Sequence, residues 1–100
     1  MEKDLEDKIA NYIYESYLAG NVVDILKPNV ASDILTARIR TNNLLIQINR
    51  SPTASFGVNG IWITSPYAAQ IYNGWMEEQR YIETTRRQQL LKEVAVICGL

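Results

Sequence analysis

The chain contains no histidine and a single cysteine, Cys98. The commonest general base and metal ligand is therefore missing, and with it every usual zinc constellation. A serine or thiol nucleophile would need a lysine or carboxylate base. No G-x-S-x-G elbow, P-loop or G-x-G-x-x-G turn is present to hold one. These residues point away from catalysis and call for no metal and no cofactor. Cys98, inside "VAVICGL", reads as a small buried hydrophobe rather than an activated thiol.

What remains is chemistry of recognition. Trp62, Arg38 and Arg40 are of the types that dominate interface hot spots, and Leu45 and Gln47 lie at spacings that place them beside these residues. They share a surface only if the chain between residues 34 and 64 folds as one antiparallel sheet. The elements that would position them can be read from periodicity.

In "ILTARIRTNNLLIQINR", residues 34–50, apolar side chains alternate with period two on both sides of Asn42-Asn43. A two-residue type I′ turn there predicts Ile39 opposite Ile46, Ala37 opposite Ile48 and Leu35 opposite Arg50, with the apolar side chains on one face. Thr36, Arg38 and Arg40 then share the other face with Asn49, Gln47 and Leu45. In "FGVNGIWITSP", an Asn59-Gly60 turn pairs Val58 with Ile61 and Phe56 with Ile63. It turns Trp62 away from them, opposite Gly57. Trp62 is exposed if helices cover only the apolar face. It is buried if the second half of a long helix folds beneath it.

Helices flank this segment. Leu5, Ile9, Tyr12, Ile13 and Tyr17 recur at helical spacing, predicting a first helix over about residues 4–19, with Asp4 as N-cap and Gly20-Asn21 as its stop. Of Tyr12, Tyr14 and Tyr17, at least one must face solvent, because Tyr14 lies some 200° round the helix from Tyr12. "VVDIL", residues 22–26, is too short to assign to a strand or a helical turn. Ser65 and Pro66 open a second helix as N-cap and first residue. It carries Ala68, Ile71, Tyr72, Trp75 and Met76 on one side, and resumes an apolar stripe at Leu90, Leu91, Val94 and Ile97. The expected core is Leu5, Ile9, Ile13, Leu35, Ile39, Leu44, Ile46, Ile48, Phe56, Val58, Ile61, Ile63, Ile71 and Trp75. The fold class is α+β, a single domain over residues 1–100: an N-terminal helix, a four-stranded antiparallel meander of two hairpins, and a long C-terminal helix.

About 33 helical residues would span about 50 Å, against about 27 Å for eight-residue strands. The helix must overhang the sheet or break, near Gly74 or Thr84-Thr85. An overhanging stripe of Leu90, Leu91, Val94 and Ile97 implies a twofold homodimer, whereas a break implies a monomer folded back on itself.

Charge is uneven along the chain. Residues 1–33 hold seven acids and three basic residues, residues 34–65 hold three arginines and no acid, and the net charge is −1. The acidic start and the pairs among Glu77, Glu78, Arg80, Glu83, Arg86 and Arg87 read as solvated helix surface. No signal peptide or membrane-length apolar run is visible, and one cysteine excludes an intrachain disulfide, so the chain reads as cytoplasmic. The leading expectation is a non-enzymatic protein-binding module, a small regulator, inhibitor or adaptor with an unidentified protein partner. Small accessory proteins of phages and mobile elements often have this size, an association by size alone. The second reading is nucleic-acid binding through the same arginines and tryptophan, weakened by the net acidity. The third is a small histidine-independent enzyme.

Overall fold

The computed structural model describes residues 1–28 and 32–100. In chain order it comprises α1 (Glu2–Leu18), β1 (Val22–Leu26), β2 (Ile34–Ile39), β3 (Leu44–Asn49), β4 (Ser55–Val58), β5 (Ile61–Thr64) and α2 (Pro66–Ile97). The strands form one antiparallel sheet in the order β1-β2-β3-β4-β5. The class is α+β as expected, but the sheet has five strands rather than four. The extra strand is the undecided "VVDIL". Its register slips between Val23 and Leu26, around Asp24 with φ 55°. A bulge residue in left-handed conformation interrupts the alternation by which a strand is recognised.

The Asn59-Gly60 hairpin is as expected. Val58 faces Ile61, Phe56 faces Ile63 and Gly57 faces Trp62, and both turn residues have positive φ, 49° and 82°. The β2–β3 hairpin is registered differently. Ile39 pairs with Leu44, Ala37 with Ile46 and Leu35 with Ile48, so the turn has four residues, 40–43, instead of two. A type I′ turn needs positive φ at both Asn42 and Asn43, and of the two only Asn43 has it, at 57°. The Asn42 Oδ1 instead accepts the Leu44 N–H at 3.1 Å, and the Arg40 N–H donates to the Asn21 carbonyl beside β1 at 2.8 Å. The slip is two residues, which returns every side chain to the same face. Inside and outside therefore stand as expected.

Both helices lie on the inner face. Tyr12 Oη is 3.2 Å from Thr41 Oγ1 and accepts from Asn42 Nδ2 at 3.2 Å, placing the middle of α1 against the β2–β3 turn. At the opposite ends of the strands, Tyr72 Oη donates to the Ser32 carbonyl at 2.8 Å, and the Arg50 guanidinium lies 4.5 Å from the centre of the Tyr72 ring. This anchors the first three turns of α2. Ser65 caps that helix, its Oγ accepting the Tyr67 N–H, and Pro66 is its first residue. The helices touch where Tyr14 stacks on Tyr67, with centroids 4.2 Å apart, and where Tyr17 meets Gly74. A Cβ at Gly74 would sit 3.2 Å from the Tyr17 hydroxyl, so glycine sets this close approach. Burial, then Glu78 and Tyr14, raises the Tyr17 pKa above the usual phenol value, so it packs as a neutral group.

The core combines Ile13, Leu35, Ile39, Ile46, Ile48, Phe56, Ile63 and Ile71 with Ala10, Val22, Ala37, Ala68 and Tyr72. Leu5 and Ile61, both expected inside, are 60% and 61% exposed. Leu5 shares a face with buried Ser16, but it lies in the first turns of α1, where no residue before Ala10 is buried. Ile61 stands beside the Asn59-Gly60 turn on the edge strand, outside the paths of both helices. The first helix starts two residues earlier than expected. Asp4 therefore lies in its first turn rather than at its cap, with its carboxylate 3.3 Å from the Met1 amine. Its end is as read: Gly20 has φ 77°, and the Gly20 and Asn21 N–H groups donate to Tyr17 and Ser16 carbonyls in a Schellman arrangement.

The second helix does not break at Gly74 or Thr84-Thr85. Its 32 residues span about 48 Å and carry it well past the sheet, which gives the molecule its 68 Å long dimension. From Glu77 onward almost every residue is exposed. Cys98 caps the far end and is exposed, contrary to its reading as a buried hydrophobe, because no core reaches that far. Gly99, φ 73°, closes a second Schellman stop.

Ile46, 2% exposed at the centre of the inner face, tests the assignment of faces. Ile46→Ala should lower unfolding stability by about 2 to 5 kcal/mol in chemical denaturation. A loss below about 1 kcal/mol would mean that this face is not the core.

Candidate functional site

Two helices on one face leave the other face of the sheet with no described element over it. Strand register orders its side chains into rows. Leu26, Thr36, Gln47, Gly57 and Trp62 follow one another across all five strands, and Val23, Arg38 and Leu45 form the next row. Leu45 is 71% exposed and Trp62 47% exposed. The reading that buried Trp62 beneath the second half of α2 fails, because that half leaves the molecule altogether.

The Trp62 indole lies against Gly57. A Cβ on Gly57 would be 3.0 Å from Trp62 Cζ3, 3.1 Å from Cη2 and 3.0 Å from Gln47 Oε1. Glycine thus makes room for an aromatic ring that covers the bare backbone opposite it, a recurring way to protect a strand glycine. The ring is held on one side and open to solvent on the other. Next to it a shallow depression of about 420 Å³ is bounded by Thr36, Leu45, Gln47 and the Asn59-Gly60 turn. At the lower end the surface is closed by a polar corner, where Asn49 Nδ2 donates to the Thr53 carbonyl at 3.0 Å and approaches Ser55 Oγ at 3.4 Å.

The arginines divide. Arg38 is on this face but engaged: its Nε and Nη2 donate to Asp24 Oδ2 at 3.0 and 2.7 Å, and its Nη1 donates to Asn43 Oδ1 at 2.7 Å. Arg50 donates to Asp33 Oδ1 at 2.7 Å besides resting on Tyr72. Arg40 is exposed in the β2–β3 turn and makes no ion pair among the described residues. Two of the three arginines of the basic middle are therefore neutralised by Asp24 and Asp33 of the acidic first third. Both pairs are solvent-accessible, with side chains 33 to 62% exposed, and add little to stability.

Of the residues marked by sequence, Trp62, Leu45, Gln47 and Arg38 come together on one face, with Arg40 at its upper rim. Leu90, Leu91, Val94 and Ile97 are all exposed on the projecting part of α2, far from that face. Sequence reasoning missed Leu26 and Asp24, since both belong to the strand it left undecided. It also passed over exposed Tyr81 and Ile82 on the projecting helix. Among the described residues no three cysteine or carboxylate side chains are grouped as a metal site would need, and no helix is long and apolar enough to cross a membrane.

The contact between Trp62 and Gly57 can be tested directly. Gly57→Ala should displace the ring, shifting Trp62 emission to longer wavelength in a Trp75→Phe background. Unchanged emission would mean that the indole does not rest there.

No family model, curated protein or solved structure matches this chain.

Proposed function

We propose that this protein is a non-enzymatic protein-binding module, a small regulator, inhibitor or adaptor, whose partner seats on the outer sheet face around Trp62. The observation that carries this reading is the Trp62 ring, held in place by Gly57 and Gln47 yet half open to solvent. A pre-positioned aromatic costs little entropy to bury, which is the property of an interface anchor. Leu45 and the neighbouring depression supply apolar contact, Gln47 a hydrogen-bonding group, and Arg40 and the Asp24-paired Arg38 a polar rim. A cytoplasmic location and absence of catalysis belong to the same reading. The pairing of Arg38 and Arg50 with acids weighs against nucleic acid, which is attracted by uncompensated positive charge.

Self-association through the projecting end of α2 is the second part of the proposal. Leu90, Leu91, Val94 and Ile97 are each at least half exposed, a contiguous apolar end that water does not favour. A second copy brings the same surface in return.

Two measurements test these parts separately. In affinity capture, Trp62→Ala should lose the partner that the wild type retains, with a thermal midpoint within a few degrees, since exposed positions contribute little to folding. Equal retention by both would reject the outer face, and an unfolded Trp62→Ala would make Trp62 a structural residue. In sedimentation, the wild type should dimerise with concentration, and Leu90→Glu with Val94→Glu should be a monomer of unaltered sheet stability. A wild type monomeric at high concentration would reject self-association.

A further inference from the structure

The projecting part of α2 carries a seam with alternating steps of three and four residues, through Arg80, Glu83, Arg87, Leu90, Val94 and Ile97. At 100° per residue these side chains share one face, the spacing of a helix-pairing heptad. Going back one further step reaches Met76, which packs against the edge of the core. The next step back is Asn73, which is exposed, so the seam meets the face that rests on the sheet only at Met76, and a charged stretch lies between two apolar ends.

That order of charges distinguishes the two ways in which a second copy could lie along it. In a parallel pair each residue meets its own counterpart, so Arg80, Glu83 and Arg87 each face a like charge at the seam. In an antiparallel pair with its twofold axis at the level of residue 85, Glu83 of each copy faces Arg87 of the other, twice. Arg80 then lays its aliphatic stem over Leu90, and Val94 reaches Met76 beside the other copy's core. The two helix dipoles also oppose each other. The paired layers, residues 76–94, are about 27 Å long.

We infer that α2 pairs with α2 of a second copy in antiparallel orientation, with Glu83 and Arg87 forming reciprocal ion pairs at its centre and Val94 of each helix covering Met76 at the edge of the other copy's core. This rests on the self-association proposed above and gives it a geometry. The two sheets then lie at opposite ends of the pair, and their Trp62 faces remain free for partners.

Cys98, the only cysteine and exposed, supplies the test. Spin labels at Cys98 in the dimer should be about 40 Å apart, since each lies some 13 helical residues from the axis. A distance below about 20 Å would make the pair parallel and overturn the inference. Charge reversal gives a second reading by sedimentation. Glu83→Arg and Arg87→Glu should each weaken dimerisation at least tenfold alone, and mixing the two should restore it, because each then meets its opposite in both central layers. Single variants that dimerise as well as wild type would overturn the antiparallel geometry and leave self-association standing. Absence of any dipolar signal or dimer in the wild type would reject both.

Discussion

The first three turns of α2 lie across the inner face of the sheet, and that contact determines what every other surface can do. Ile71 and Tyr72 are buried there against Ile46, Ile48 and Phe56, Tyr72 is tied to Ser32, and Arg50 closes over its ring. Five short strands offer room for about that much helix beside α1, and no more. One layer of helix on one face completes the core. The outer face and two thirds of α2 are left over, and they hold the most exposed large apolar side chains of the folded elements.

Much of this layout was legible in the sequence because its signals were local. Asn59-Gly60 between alternating apolar residues can form one turn, and Ser65-Pro66 can start one helix, so both stand where they were read. The β2–β3 register was not legible: two asparagines suggest a type I′ turn, but Asn42 used its side chain to cap Leu44 and lengthened the loop. Period-two alternation survived a two-residue slip, so the faces were right although the pairing was wrong. Strand β1 stayed undecided because five residues are too few to separate a strand from a helical turn, and Asp24 bulges there at positive φ. Leu5 and Ile61 were placed inside by helical spacing and strand pairing, which give the face but not how far along an element the covering layer reaches, and both lie at ends that no other element covers.

The candidate site shows the same division. That Trp62 faces outward followed from parity along β5. That its ring rests on Gly57 followed only from the cross-strand pair, and that Arg38 is occupied by Asp24 depended on the unread strand. The basic segment of the sequence is therefore not a basic surface of the molecule. Asp24 and Asp33 pair with Arg38 and Arg50, which leaves an outer face more apolar and less positive than its sequence suggests.

A helix of about 21 residues standing in water without tertiary contact is marginal, since most helical stability in proteins comes from packing one face. Something must pack it. Amide hydrogen exchange along residues 77–97, followed over a range of protein concentrations, reads this most directly. Self-association predicts that protection in Arg86–Ile97 rises with concentration while protection in the sheet stays constant. Rapid exchange of that segment at every concentration, beside a protected sheet, would show that the projecting helix has no partner in a second copy and would contradict the account.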